Sequence, residues 1–555
     1  LVIRKLILCF IAGLSAVLAV GQTANSPVHQ SIWNNPNIYI PASSMPRAHG
    51  ISTHYVVVKN PGLMPNGVLH PAAGPAGYWP KDIHAAYKIP SNLGTNAIAV
   101  VGAFDNPTAL TDFQTFSNQF GLPTETSSNP TSSSNKHFQV VYAQGSQPQT
   151  DAGWAGETSL DIEWTHAMAP NAKIFLVEAN DNGFSNLYGA VTVAHGLPNV
   201  KIVSMSWGGD EDSSELSQDQ TFNVSGVVFF ASSGDIGGAQ SYPAESPYVV
   251  GVGGTHLVLD SQDNVIEETA WSDAGGGPSA FEPRPAYQNG ISNIIGAVRG
   301  CPDISAVADP DTGVAVFSQT GGGGWIVVGG TSVSCPVCAG IANARGQFSK
   351  TTTEELQRIY ATYANQTLWP KLYRDVTTGT AGSFTAAVGW DFITGIGVPI
   401  NLYPNPNGIS FTPINPQLIT GTEVNGSPYN LNSVFTAPMG QAAAMSVDFT
   451  VNQDPTTFAS LSITASLTSA LRSTSQVFIW NNSTQKYEVL VSGAGTGSPG
   501  SLTKDISTYL LKYTFMVGGN KTLRFAMRSV APARTAAAPY NFQVGTISLS
   551  GFLNS

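Results

Sequence analysis

Residues 329–336, Gly-Gly-Thr-Ser-Val-Ser-Cys-Pro, turn an extended glycine-rich run into an apolar helical stretch, and this junction constrains the fold more than any other segment. The rest of the region repeats the alternation. Apolar runs at 97–101, 174–177, 202–205 and 227–230 read as buried strands separated by helical segments, the pattern of a parallel sheet covered on both faces. At the junction, two glycines permit a sharp turn and leave Ser332 at a helix N-terminus, where unpaired amides and the positive end of the dipole favour an oxyanion. The same residues also suit an ordinary N-cap.

A serine hydroxyl needs a base within hydrogen-bond reach before it can act as a nucleophile. The chain has nine histidines, none in a His-Gly-Thr context, and only His166 lies beside an acidic cluster. The segment Gly156-Glu-Thr-Ser-Leu-Asp-Ile-Glu-Trp164 is a better source, because Glu157 and Asp161 are four apart and share one face of a helix. Leu160, Ile162, Trp164, Ala167 and Met168 make that helix largely apolar, so at least one carboxylate is expected to be buried; a solvated acidic face is the alternative. A third element is the strand-like run Val227–Ala231 leading into Ser-Ser-Gly-Asp235. A carboxyl group there, if kept protonated, can donate to a developing oxyanion; otherwise Asp235 is a turn residue.

Together these segments resemble the sedolisin family, serine-carboxyl peptidases with a subtilisin-like fold, on its kumamolisin-like side. The likeness also takes in Trp79–Tyr87, Ala99–Asp105, Val203–Gly209, Tyr242–Thr255, Trp271 with Gly275–Gly277, Pro302–Pro310 and Gly389–Gly397, in that order. It implies Ser332 as nucleophile, Glu157 as general base, Asp161 as the carboxylate that orients the base, and Asp235 as the oxyanion-hole acid. A carboxylate base has a reference pKa of ~4 against ~6.5 for imidazole, so such a site is expected to work in acid. The glycine-rich stretches at Ser206, Trp207 and Gly208 and at Gly275 and Gly276 read as strand edges that pair with a substrate backbone, making protein or peptide the expected ligand. The resemblance further implies one structural calcium ion, held by Asp375, Asp391 and the carbonyls of Val376, Ala387 and Gly389; from the residues alone, both aspartates also read as turn caps.

At 555 residues the chain is long enough for more than one domain. Thirty-five acidic against 24 basic residues give a net charge of -11, which argues against nucleic acid or anionic membrane as a partner. Residues 1–21 have the basic and apolar regions of a secretory signal peptide, too short for a stable membrane span, so a secreted monomer is expected. Residues 22–78 are proline- and asparagine-rich, with a possible short strand at 54–58. They are expected to act as a short propeptide-like or linker segment, either running through the cleft or leaving the protein without a propeptide. The catalytic region is expected over 79–402 and a linker over 403–430. The alternating runs at 446–451, 461–465, 476–480, 487–491, 513–517 and 522–526 predict a C-terminal antiparallel β-sandwich over 431–555, with a hairpin turn at Gly518-Gly519-Asn520. Cys301, Cys335 and Cys338 form an odd set and are expected to be small buried residues. Secreted acid endopeptidase is the first reading; a catalytically silent relative that binds through its β-domain is the alternative.

Overall fold

The computed structural model describes residues 31–46, 50–63, 74–401 and strand segments between 409 and 553. The expected signal peptide at 1–21 lies outside the described residues.

The core is one eight-stranded sheet: β1 (Ala97–Ala103), β2 (Phe138–Tyr142), β3 (Lys173–Ala179), β4 (Val200–Met205), β5 (Val228–Ser232), β6 (Val250–Leu259), β7 (Val265–Ala270) and β8 (Ile304–Val307). Its order is β7-β6-β5-β4-β1-β3-β2, with β8 also paired to β6. All these pairs are parallel except β6 with β7. Both faces are covered, which is why the strands are apolar at consecutive positions. Along β1, Ile98 and Val100 pack in one cluster with Leu160, Trp164 and Val333, while Ala97, Ala99 and Val101 pack in the other with Leu187, Ala190 and Val191.

Four helices matter here: α1 (Ala109–Phe120), α2 (Ala152–Met168), α3 (Phe184–Gly196) and α4 (Thr331–Ala344). In α2 every residue from Trp154 to Met168 is buried. It packs closely against α4 at Gly340, where a Cβ would stand 2.5 Å from that of Met168 and 3.0 Å from the Thr165 carbonyl. That missing side chain lets the two buried helices approach closely there.

Residues 31–46 and 50–63 carry short strands and 3-10 turns that pack on the rest of the fold. Ser52–Thr53 pairs antiparallel with Trp207–Gly208, and Val56–Val58 pairs antiparallel with Gly324–Gly329, the strand that leads into α4. Upstream, Asp273 accepts hydrogen bonds from the Ser31 hydroxyl (2.6 Å) and the Ile32 amide (3.1 Å). The segment is a strap laid across the strand ends.

The C-terminal part is an antiparallel β-sandwich of two six-stranded sheets. Strand Thr474–Asn481 alternates buried and partly exposed residues, as a half-buried strand must. Asp448 and Arg524 face each other across a strand pair and bond at 2.6 and 2.8 Å. Val517 pairs with Asn520; Gly518 and Gly519 of the expected turn lie outside the described residues. The linker expected over 403–430 is corrected: Ile409–Phe411, Pro413–Thr420 and Thr422–Glu423 are strands of these sheets. The prolines that suggested a linker sit at a strand start (Pro413) and in the register shift between Ile414 and Gln417 (Pro416), where a missing amide donor is tolerated. Among the described residues no helix is long and apolar enough to cross a membrane. Cys301, Cys335 and Cys338 are free and buried.

Candidate active site

Strand Gly324–Gly329 ends at Gly330, whose φ of 109° is open to glycine but costly for other residues, and α4 starts at the next position. The first amides of a helix have no partner inside it. Here the Thr331 amide donates to Asp235 Oδ1 (2.8 Å) and the Ser332 amide donates to the His54 carbonyl of the strap (2.9 Å). Pro336, one turn further, lacks the N–H that would otherwise bond the Ser332 carbonyl.

Ser332 Oγ donates to Glu157 Oε2 at 2.9 Å and lies 3.2 Å from the Ser206 carbonyl. Asp161, one turn along α2, accepts from the Ser206 hydroxyl at 2.5 Å. Glu157 Oε1 and Asp161 Oδ2 are buried without a protein partner. Burial, and then the charge of Asp161, pushes the Glu157 carboxyl well above its usual range; burial also raises Asp161, against the Ser206 hydrogen bond. Two carboxyls on one helix face and out of water cannot both ionise cheaply. The raised Glu157 carboxyl differs from the reference value of ~4 expected for an isolated glutamate.

Asp235 follows β5. The Thr331 hydroxyl joins the Thr331 amide on Oδ1 (2.9 Å), and Oδ2 is left free of protein partners. Burial raises Asp235 to about 8, opposed by the two Thr331 donors. A Cβ on Gly330 would stand 2.2 Å from the His54 carbonyl oxygen and 2.6 Å from Asp235 Oδ2, so this glycine lets carbonyl and carboxyl share one small space.

The strap's carbonyl is therefore held where an oxyanion would form, beside the hydroxyl that would attack it; the His54 amide also donates to Ser332 Oγ (3.1 Å). The imidazole of His54 points away, 2.7 Å from the Ser232 hydroxyl, and burial lowers it to about 4. It makes no contact with the nucleophile. Of the residues expected to form a propeptide-like or linker segment, 52–58 run along the cleft beside Ser332, while 22–30, 47–49 and 64–73 lie outside the described residues.

The residues expected to contact substrate fall in different places. The Ser206 side chain holds Asp161 instead of facing the cleft. The edge at Trp207 and Gly208 pairs with the strap's Ser52–Thr53, a backbone pairing of the expected kind, while the Trp207 indole is buried against the Val101 carbonyl (2.9 Å). Gly275 and Gly276 offer no open amides, since these bond the carbonyls of Gly234 (2.7 Å) and Ala239 (2.8 Å). Their glycine character answers to packing: a Cβ on either would meet a carbonyl oxygen at 2.2 Å. The hold of Thr331 on Asp235, through both its amide and its hydroxyl, was not expected, although a Thr directly before the candidate serine was a visible signal.

At the expected calcium position, Gly389 N–H donates to Asp375 Oδ2 (3.0 Å), while Asp391 accepts from the amides of Ala387, Ile393 and Thr394 and from the Thr394 hydroxyl. Asp375 Oδ1 is buried and has no protein partner. Two carboxylates, one with a free buried oxygen, in a loop of turned backbone fit a hard cation that takes its remaining ligands from carbonyls and water.

The Subtilase family pattern matches residues 150–397, and the parallel sheet with its covering helices is a subtilisin-like fold. Kumamolisin from Bacillus sp. (strain MN-32) is 32% identical over 380 residues, covering 60% of this chain and 63% of kumamolisin. Sedolisin from Pseudomonas sp. (strain 101) is 27% identical over 373 residues, 59% of this chain and 60% of its own length. The solved structure of Pseudomonas sedolisin, a serine-carboxyl proteinase complexed with two molecules of pseudo-iodotyrostatin, superposes with a TM-score of 0.50 at 24% identity, covering 59% of this chain and 96% of that one. The chain is thus similar to sedolisin and kumamolisin, and it spans about three fifths of the length of these two curated relatives.

Proposed function

We propose that the protein is a secreted, acid-acting serine-carboxyl endopeptidase. One observation carries the reading: a serine hydroxyl 2.9 Å from a buried glutamate, with a peptide carbonyl already docked on that serine's amide at 2.9 Å. Ser332 Oγ attacks the carbonyl carbon as Glu157, in the fraction of molecules where it is ionised, takes the hydroxyl proton; Asp161, fixed by Ser206, supports the protonated base. The Ser332 amide and a protonated Asp235 hold the oxyanion. As the C–N bond breaks, Glu157 returns its proton to the leaving amine; water then attacks the acyl-enzyme with Glu157 as base and restores the hydroxyl. Calcium, bound through Asp375, Asp391 and the carbonyls of Val376, Ala387 and Gly389, would brace the loop that carries them. The strap must leave before another peptide enters.

An acid setting is supported by the carboxyls themselves. Burial raises Glu163, Glu178 and Glu245 as well as Glu282, to about 8, and Glu215, to about 9. A carboxyl held neutral by the fold contributes stability that is complete below its unfolded pKa of ~4 and is lost as pH rises through its folded value. Acid-treated wild type should cleave casein at pH 3 to 4 and not at pH 7, and Ser332→Ala and Glu157→Gln should lower the rate at least a thousandfold. Acid activity that persists in Ser332→Ala, or none in folded, calcium-supplied wild type, overturns the assignment.

A further inference from the structure

The strap also shows which side chain the cleft receives on the leaving-group side of the cut bond. With the His54 carbonyl on the Ser332 amide, the residue after it, Tyr55, occupies the first leaving-group position. Tyr55 is 2% exposed, and its hydroxyl donates to the Gly153 carbonyl at 2.7 Å. The ring end lies on the first turn of α2 where Gly156 has no side chain: a Cβ there would stand 2.3 Å from the phenol oxygen and 3.1 Å from the ring carbon that bears it. Gly156 cannot retreat to make room. Gly321 backs it so closely that a Cβ on Gly321 would lie 2.4 Å from the Gly156 Cα.

We propose that Gly153 and Gly156 form a tyrosine-reading subsite, with Gly156 the residue that sets its depth and the Gly153 carbonyl the acceptor that selects a phenol. The preferred substrates are polypeptides with tyrosine immediately after the cleaved bond. The inference rests on the cleft being peptide-binding. Phenylalanine fits the space but leaves the carbonyl without its donor; alanine also leaves the space empty, and a short branched residue fills only part of it.

The test uses the acid-activated full chain and peptides of the Gly50–Lys59 sequence with Tyr, Phe or Ala in place of residue 55, cleavage being followed by mass spectrometry. Cleavage before the varied residue is expected, with kcat/KM for Tyr about fivefold above Phe, from one neutral hydrogen bond, and on the order of fiftyfold above Ala, from aromatic burial. Gly156→Ala should collapse the Tyr-to-Ala ratio towards one. Equal rates for all three peptides overturn the subsite while leaving the peptidase reading intact; no cleavage of any peptide overturns both. A readout independent of turnover is hydrogen exchange in a Ser332→Ala background. There Tyr55→Ala should speed exchange of the His54 and Ser332 amides at least tenfold and Tyr55→Phe by less. Unchanged exchange in both would equally overturn the subsite.

Discussion

Replacing Asp235 by asparagine separates a protonated oxyanion donor from an ordinary turn carboxylate. In the fold, Asp235 Oδ1 accepts two hydrogen bonds from Thr331 and Oδ2 has no protein partner, so an asparagine can keep both acceptor contacts and place a permanent donor where Oδ2 stands. Burial raises the group from 3.8 to about 8. Below pH ~4 the folded and unfolded chains are both protonated here, and the stabilisation is complete. Between ~4 and ~8 the unfolded chain releases the proton and the folded chain keeps it, so this residue's contribution falls by about 1.4 kcal/mol per pH unit. Above the folded value the loss is finished. From pH 4 to 7 wild type should therefore lose roughly 4 kcal/mol relative to Asp235→Asn, on a scale where a domain holds ~5–15. Urea unfolding of both proteins at pH 4, 5.5 and 7, in a Ser332→Ala background to prevent self-digestion, measures the difference directly. Because the other raised carboxyls are common to both chains, they cancel. Parallel stability profiles would refute the argument by showing that Asp235 is ionised in the fold throughout.

Two further outcomes follow. Acidification of the wild-type chain should release a fragment whose new N-terminus is Tyr55, because the His54 carbonyl lies on the Ser332 amide; Ser332→Ala should not release it, as intact-mass spectra before and after acid treatment would show. Chelating calcium should lower Tm by several degrees in wild type and leave an Asp375→Ala variant, already lowered, unmoved; calorimetry with and without chelator tests this, and an unchanged wild-type Tm would remove the cation from the structure.

Much of the site was legible because local chemistry forces it. Glycines before a serine, two carboxylates one helical turn apart and an aspartate at a strand end each announce a geometry through the backbone alone. The contacts around them were less legible. Ser206 looked like a substrate-facing residue, yet its hydroxyl is spent on Asp161, and nothing in the spacing of 161 and 206 reveals that contact. Gly275 and Gly276 suggested an open edge because glycine permits close approach, but the approaching groups are the protein's own carbonyls. The strands at 409–423 hid behind prolines that a strand start and a bulge accommodate.

By itself the sequence determined the alternation of buried strands and helices, the second, β-rich part, and the four candidate residues Ser332, Glu157, Asp161 and Asp235, since periodicity and turn chemistry act over a few neighbouring residues. Only the tertiary structure decided that two buried helices pack together with Glu157 in reach of Ser332, and that residues 52–58 thread the cleft with His54 on the nucleophile. Those are contacts between segments far apart along the chain, and a folded core, by excluding water, sets both their geometry and the protonation of the carboxyls they enclose.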